Sequence, residues 1–323
     1  AFQVSPGVLV QERDLTRIIP AVSTSVGAFA GQFSKGPLDE IVTVSSEQEL
    51  VEVFGKPDSS NFEDWFSAAN FLQYSNALRV VRASNTGVRN ATVSGSAVTI
   101  NNTTDYSNNF ANGSANVGTF ASRTAGVWGN SLLVATCPSA TAYQEVAKTT
   151  INDSSTAAGD TVITVTSSTG INVGDIIEFT TTAAGTDYDG FKYRVISIST
   201  NDLTIVRADT GTGGLHGAVT DGANLKRSWK YFDLVNGAPG TSPYVSQRGG
   251  SGDEIHVVVI DEDGLLSGVQ NTVLEVYSKL SKASDAKSPQ GDSNYYPTVI
   301  QTRSKYVYWM DHNSGGSNWG NAA

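Results

Sequence analysis

The chain has 323 residues, of which 39% are apolar and 16% are charged, and its 21 Lys and Arg face 31 Asp and Glu. A net charge of −10 without any basic block argues against nucleic acid or an anionic membrane as a primary partner. No apolar stretch approaches the roughly 18 residues of a membrane span, and no signal-peptide pattern is visible, so we expect a soluble protein made in a cytosol. The 32 glycines indicate a loop-rich fold that leans towards β-structure, and the length allows two or three domains.

The first predicted element is a short strand in SPGVLVQERD (5–14). Ser5, Pro6 and Gly7 form a turn, and an extended apolar segment follows it directly. A strand so close to a chain end must pair with another strand, either in the same molecule or in another one.

Residues 22–83 are predicted to form an α/β unit. The stretch VSTSVGAFAGQF, with Gly27 and Gly31, is typical of a buried strand that another backbone approaches closely. Ser46 and Glu49 have the spacing of a capping box and predict a short helix.

A second helix is predicted from about residue 61, and ALRVVRA (77–83) follows it as a strand. Its apolar side chains recur at three- and four-residue spacings, and we expect this face to be buried: Phe62, Trp65, Phe66, Ala69 and Leu72.

The middle of the chain is predicted to be poor in helix. Residues 84–120 are rich in Asn, Ser, Thr and Gly and indicate loops or a weak hairpin, before a strand at 131–136. From 148 to 217, four or five short strands about ten residues apart are typical of a small barrel or sandwich. GTGGLHG (211–217) is interpreted as linker.

The last third predicts a strand, a helix and a strand. EIHVVVI (254–260) is nearly continuously apolar, as in strands buried on both faces. Apolar positions from Val273 to Leu280 have helical spacing, and YVYW (306–309) closes the pattern. KRSWKYF (226–232) interleaves basic and aromatic residues, and in an acidic chain this indicates a strand at a protein interface rather than a surface that stacks bases.

No catalytic or metal-binding motif is present in the sequence. The turn DEDG (261–264) lacks the oxygen ligands that a calcium loop places at alternating positions, so a solvated turn is expected. His216, His256 and His312 have no metal-binding neighbour at zinc spacing, and His256 is expected to be a packed or sheet-edge histidine rather than a metal ligand. Cys137 is expected to be a small buried hydrophobe. We therefore expect no catalytic residue, no cofactor and no metal.

Four ordered segments together carry a resemblance to a known family. SPGVLVQERD, GAFAGQFSKGP, SSEQELVEVFGKP and FLQYSNALRVVRA resemble the N-terminal quarter of the contractile tail sheath proteins of T-even-like bacteriophages. GVWGNSLLVA and DEIHVVVIDEDG with the following YVYW are similar to later family segments. The stretches 84–120 and 148–217 match no family motif, which fits insertions that decorate the outside of a tail.

The resemblance implies a non-enzymatic structural subunit. Family members polymerise with copies of themselves as stacked hexameric rings around a tail tube and contract to drive the tube through the host envelope. The implied partners are other copies, the tail tube protein, and the baseplate and tail terminator proteins, without nucleic acid or membrane insertion. The implied location is the virion, after assembly in the host cytoplasm. Family members also continue into a C-terminal part beyond the point where this chain stops.

The predicted fold class is α+β and multi-domain: a mixed α/β sheath domain with an inserted small β-barrel or sandwich and an extended N-terminal arm. The predicted domains are the arm (1–24), the N-terminal part of the sheath domain (25–90), a loop-rich connection with short strands (91–147), the inserted barrel (148–217) and an α/β outer sheath domain (218–323). Sheath subunits donate strands to their neighbours, so the predicted subunit-interface residues are those of the arm: Val8, Leu9, Val10 and Gln11.

Two alternatives remain. A baseplate or tail-fibre component would account for the β-rich middle but not for the four N-terminal segments. An enzyme with dispersed carboxylates is the other.

Overall fold

The computed structural model describes residues 26–84, 87–93, 96–114, 116–180, 191–314 and 317–323. The predicted arm residues, Val8 to Gln11, lie outside the described residues. The chain divides into two compact units, Ala1–Ser84 and Asn85–Ala323. The fold is mixed α+β with several separate sheets.

The first unit is a three-stranded sheet with two helices. Its elements are β1 (Val26–Gln32), β2 (Ile41–Val44), α1 (Glu47–Phe54), α2 (Phe62–Leu72) and β3 (Ala77–Ala83). The strand order is β1-β3-β2, with β1 parallel and β2 antiparallel to the central β3. The core between sheet and helices is built from apolar side chains of all five elements and the turn after β1, among them Phe33, Val44, Leu50, Phe54, Trp65, Leu78 and Val80.

The cap predicted for α1 is confirmed. The Oγ of Ser46 accepts a hydrogen bond from the N–H of Glu49 at 3.2 Å, which satisfies one of the free donors at the helix start. The Glu49 carboxylate reaches back to the N–H of Ser45 at 2.8 Å, one residue earlier than in the usual capping box.

The expected burial of the α2 face and of β1 is wrong in part. Trp65 and Ala69 are buried, but Phe62 is 48% and Phe66 is 51% exposed, because they lie on the shoulder of the helix that turns away from the sheet. Strand β1 is an edge strand and is mostly exposed. Its Gly27 makes room for a side chain rather than a backbone, since a Cβ there would lie 2.5 Å from the Phe71 ring.

The second unit contains a three-stranded antiparallel sheet in the order β13-β12-β5. Its strands are β5 (Leu132–Cys137), β12 (Glu254–Asp261) and β13 (Thr272–Ser281), and β12 is buried along its whole length, as predicted. On one face lie α6 (Tyr296–Arg303) and a two-stranded sheet of β4 (Phe120–Ser122) and β14 (Val307–Trp309).

The helix predicted around residues 273–280 is wrong, because this segment is β13. Two bulges each place an extra residue of β13 opposite β12, near Lys279 and near Leu274. Side chains on one face of a strand are normally two residues apart, and at each bulge the extra residue increases this spacing to three. The apolar positions therefore have a spacing that imitates a helix.

The prediction of loops or a weak hairpin for residues 84–120 is wrong in part. This part contains α3 (Thr103–Asn109), capped by Asn102. Tyr106 on α3 is buried, stacks on Tyr308 with ring centroids 4.1 Å apart, and donates from its hydroxyl to the carbonyl of Trp309 at 2.6 Å. These contacts join α3 to β14.

The middle β-region forms one antiparallel sheet in the order β6-β11-β8-β9-β10-β7. The strands are β6 (Gln144–Thr150), β7 (Val162–Thr164), β8 (Ile176–Thr180), β9 (Lys192–Ser199), β10 (Asp202–Arg207) and β11 (Asn224–Ser228). The predicted barrel is not closed: β6 and β7 do not pair as strands, and the described residues at and just beyond their ends meet at an isolated bridge between Ile151 and Val165 and a hydrogen bond between the Thr150 and Thr166 hydroxyls. Strand β6 and strand β11 extend this sheet past both ends of the predicted 148–217 segment.

The interpretation of GTGGLHG as linker is wrong. Leu215 is fully buried, and its N–H and C=O bond to Asp160 and Gly159 at 2.8 and 2.7 Å. Gly214 lies so close to this segment that a Cβ would be 2.0 Å from the carbonyl oxygen of Asp160. The remaining short helices are α4 (Ala140–Tyr143) and α5 (Pro243–Ser246).

Candidate assembly surface

The histidines are part of the packing of the second unit. His256 is buried, as expected: its Nδ1 accepts from the N–H of Lys279 at 2.9 Å, and its Nε2 donates to the carbonyl of Gly237 at 3.0 Å. His312 lies among aromatic rings, with its Nδ1 2.6 Å from the Tyr296 hydroxyl. His216 stacks on Phe191. Burial lowers the pKa of both His256 and His312.

Cys137 is buried, as expected, and burial raises the pKa of its thiol to about 12. A thiol with such a pKa is not a nucleophile near neutral pH. It packs in a cluster with Trp229, Val258 and Ile260.

The expected solvation of the DEDG turn is wrong for Asp261. This carboxylate is fully buried and accepts hydrogen bonds from the Ser131 hydroxyl, from the hydroxyl and N–H of Ser267, and from the N–H of Leu266. Burial would raise its pKa, but these donors hold the pKa below its usual value. The carboxylate ties the β12–β13 hairpin to the start of β5, and its lone pairs are used in doing so.

The expected interface strand KRSWKYF lies largely inside the second unit. Its first half belongs to β11, which has neighbours on both sides in the six-stranded sheet. Lys226 pairs with Glu178 at 3.0 Å, and the buried Arg227 pairs with Asp175 at 3.4 Å. The side chains of Lys226 and Arg227 therefore complete ion pairs within the second unit.

Among the described residues, no group of three or more His, Cys, Asp or Glu side chains is placed to hold a metal ion. Across the same residues, no helix has the length and apolar character to cross a membrane. A groove of about 180 Å³ beside β4 and β5 is lined by residues such as Thr92, Phe120 and Leu132. That volume is below the usual range of small-molecule sites.

The first unit exposes an apolar sheet face, which we call the open face. It consists of the side chains that point away from the core: Val26, Ala28, Ala30 and Gln32 on β1, Ile41 and Thr43 on β2, and Arg79 and Val81 on β3. Ile41 is 64% and Val26 is 57% exposed. Arg79 sits in the middle row between Ala28 and Thr43 and is the charged residue of this face.

A second exposed surface, which we call the α2 shoulder, consists of Phe62, Glu63 and Phe66. All three side chains are exposed, and the Phe66 ring packs edge-on against the buried Trp65. The spacing of the aromatic residues was visible in the sequence, but it could not tell which of them face the sheet and which face outward.

The sheet of the first unit also has two exposed edges. Strands β1 and β2 each pair on one side only, with β3, among the residues that the structure describes. An edge with unpaired N–H and C=O groups is the feature that strand addition requires.

Residues 24–83, which include all five elements of the first unit, match the family model described as "Tail sheath protein Gp18 domain III N-terminal region". The resemblance to phage tail sheath proteins is confirmed. The tail sheath protein of Salmonella phage ViI is 27% identical over an alignment of 332 positions, covering 95% of this chain and 49% of that protein. The chain thus spans about half the length of this relative.

Two other tail sheath proteins match shorter parts of the chain. That of Enterobacteria phage T4 is 42% identical over 80 residues, 25% of this chain and 12% of its own. That of Vibrio phage KVP40 is 34% identical over 110 residues, 34% of this chain and 16% of its own. All three of these relatives carry the name tail sheath protein.

Proposed function

We propose that the chain is a structural subunit of a contractile bacteriophage tail sheath. Copies assemble as stacked hexameric rings around the tail tube and contract to drive it through the host envelope during genome delivery. The single observation that carries this proposal is the similarity to the ViI tail sheath protein over 95% of the chain. The tube, baseplate and tail terminator proteins are the proposed partners, and the host cytoplasm is the proposed place of assembly.

The proposed layout has an arm at 1–24, sheath-domain residues at 25–90, a connection at 91–147, an inserted β-module at 148–217 and an outer domain at 218–323. Val8 to Gln11 are proposed to form a strand donated to the sheet of a neighbouring copy. The exposed edges of β1 and β2 support this role, because each can accept one further strand.

Immunogold electron microscopy of the phage that encodes the chain tests the function. Antibodies against the chain are expected to label the tail shaft along its whole length, and the labelled region shortens when the tail contracts. Label confined to the baseplate, the fibres or the head would contradict a sheath role.

Deletion of residues 1–20 tests the arm. The truncated chain is expected to keep the circular dichroism and melting temperature of the full chain but to lose its polymerisation in electron micrographs. Normal polymers of the truncated chain would contradict strand donation by Val8 to Gln11.

A further inference from the structure

The first unit carries two exposed surfaces that differ in charge but share an apolar character. The α2 shoulder offers two half-exposed phenyl rings, Phe62 and Phe66, with Glu63 beside them. The open face offers Ile41 and Val81 around the guanidinium of Arg79. Phenyl rings and large aliphatic side chains that are exposed side by side are typical of surfaces that contact other proteins.

The charges decide which surfaces fit each other. The helix layer exposes Glu47, Asp58 and Glu63, with Lys56 as its exposed cation. Two helix layers in contact would therefore place acids against acids, and two open faces would place Arg79 against its own copy. Among the described residues of these two surfaces, a helix layer against an open face brings the exposed acid Glu63 to the exposed cation Arg79.

The neighbours of Arg79 favour this pairing sterically. Arg79 lies between Ala28 and Thr43 across the sheet, so small side chains surround its base and leave space above the strands. Ile41 pairs with Val81 in the adjacent row, and Ala30 completes that row. A pair of phenyl rings can pack on this row while a carboxylate next to them reaches the guanidinium.

We propose that the α2 shoulder of one copy docks on the open face of a second copy, with Glu63 paired to Arg79 and the rings of Phe62 and Phe66 packed on Ile41 and Val81. The choice of partner rests on the proposed self-assembly, and the contact is separate from any strand exchange at the sheet edges. Because the two surfaces are different, a pair of docked copies still has one free α2 shoulder and one free open face. Further copies can bind there, so the contact propagates as an open array instead of closing as a dimer.

A charge exchange in the complete chain tests the contact by sedimentation velocity. Glu63→Arg and Arg79→Glu are each expected to weaken self-association by about tenfold or more, since each sets like charges together. The double variant Glu63→Arg/Arg79→Glu restores the opposite pair and is expected to recover most of the association. Glu262→Arg, at an exposed position of the second unit, is the matched control and is expected to associate like the unchanged chain.

The apolar part is tested with Phe66→Ser, which removes a half-exposed ring that contacts the fold by edge-on packing against Trp65. Its melting temperature is expected to stay close to that of the unchanged chain while its association weakens. Unaltered association of the single variants, or a double variant as weak as the singles, would overturn the contact. A chain that stays monomeric at every concentration would overturn it as well. Labelling of the tail shaft is an independent result, so the sheath role can stand when this contact fails.

Discussion

His256 illustrates how single polar residues serve the packing of this protein. Its ring accepts one backbone hydrogen bond and donates another, which requires the neutral form with a proton on Nε2. A second proton on Nδ1 would face the N–H of Lys279. Burial lowers the pKa of His256 from 6.5, and the charge of Lys279 acts in the same direction, whereas the hydrogen bond to Gly237 and the charge of Glu254 act in the opposite direction.

The lowered pKa predicts a pH dependence of stability. In the unfolded chain the His256 ring has a pKa of about 6.5 and becomes protonated below that pH, whereas in the folded chain it stays neutral until the pH reaches its lower folded pKa. Acidification from pH 6.5 towards the folded pKa therefore lowers the free energy of unfolding. His256→Gln has no titrating group. The advantage of the unchanged chain over this variant in unfolding free energy is therefore expected to shrink between pH 7.5 and pH 5, measured by urea denaturation at both pH values. An advantage that is constant or grows on acidification would contradict the neutral ring.

Glycine is required at position 214 because the backbone there lies directly against the backbone of Gly159 and Asp160. A Cβ at this position would overlap the carbonyl of Asp160, and backbone cannot move aside as a flexible side chain does. Gly214→Ala is expected to lower the unfolding free energy by more than about 2 kcal/mol. Gly240→Ala is the control, since the only nearby atom is a Glu254 carboxylate oxygen at 3.7 Å. Equal stability of the two variants would contradict the close approach.

At the scale of elements, the hairpin of β12 and β13 depends on the buried carboxylate of Asp261. Asp261→Asn keeps the shape of the side chain but replaces one carboxylate oxygen with an amide NH₂ group. This donor would then face hydrogen-bond donors such as the N–H and the hydroxyl of Ser267. Thermal or urea unfolding is expected to show a loss of about 1–3 kcal/mol. Asp263→Asn, exposed in the same turn, is expected to stay within about 0.5 kcal/mol of the unchanged chain. A comparable loss at Asp263 would show that charge in the turn matters rather than the buried hydrogen bonds.

The sequence predicted elements well where local pattern and tertiary pairing agree. Strand β12, strand β3 and the cap of α1 follow from continuous apolar runs and a capping motif. Strand β13 has the apolar spacing of a helix because its bulges depend on the partner strand, which a single segment does not reveal. Helix α3 was missed because its sequence, TTDYSNN, is polar, and its burial depends on Tyr106 contacting β14, some 200 residues away.

At the scale of the whole molecule, the resemblance to tail sheath proteins could be recognised from the sequence, but the exposed surfaces of the first unit could not. Four ordered motifs fall in or just before the stretch that the tail sheath family model matches. Exposure of Phe62, Phe66 and Ile41 depends on where the sheet ends and which face the helices cover. The same holds for KRSWKYF, since the ion-pair partners of its Lys226 and Arg227 are distant in the sequence.

The central claim, that this chain is the repeating subunit of a tail sheath, is tested most directly by its copy number in the virion. Quantitative mass spectrometry of purified particles gives the ratio of this protein to the tail tube subunit. A sheath subunit that repeats along the shaft is expected to be present in about the same number of copies as the tube subunit. A few copies per particle, as in a baseplate or fibre component, would contradict the account.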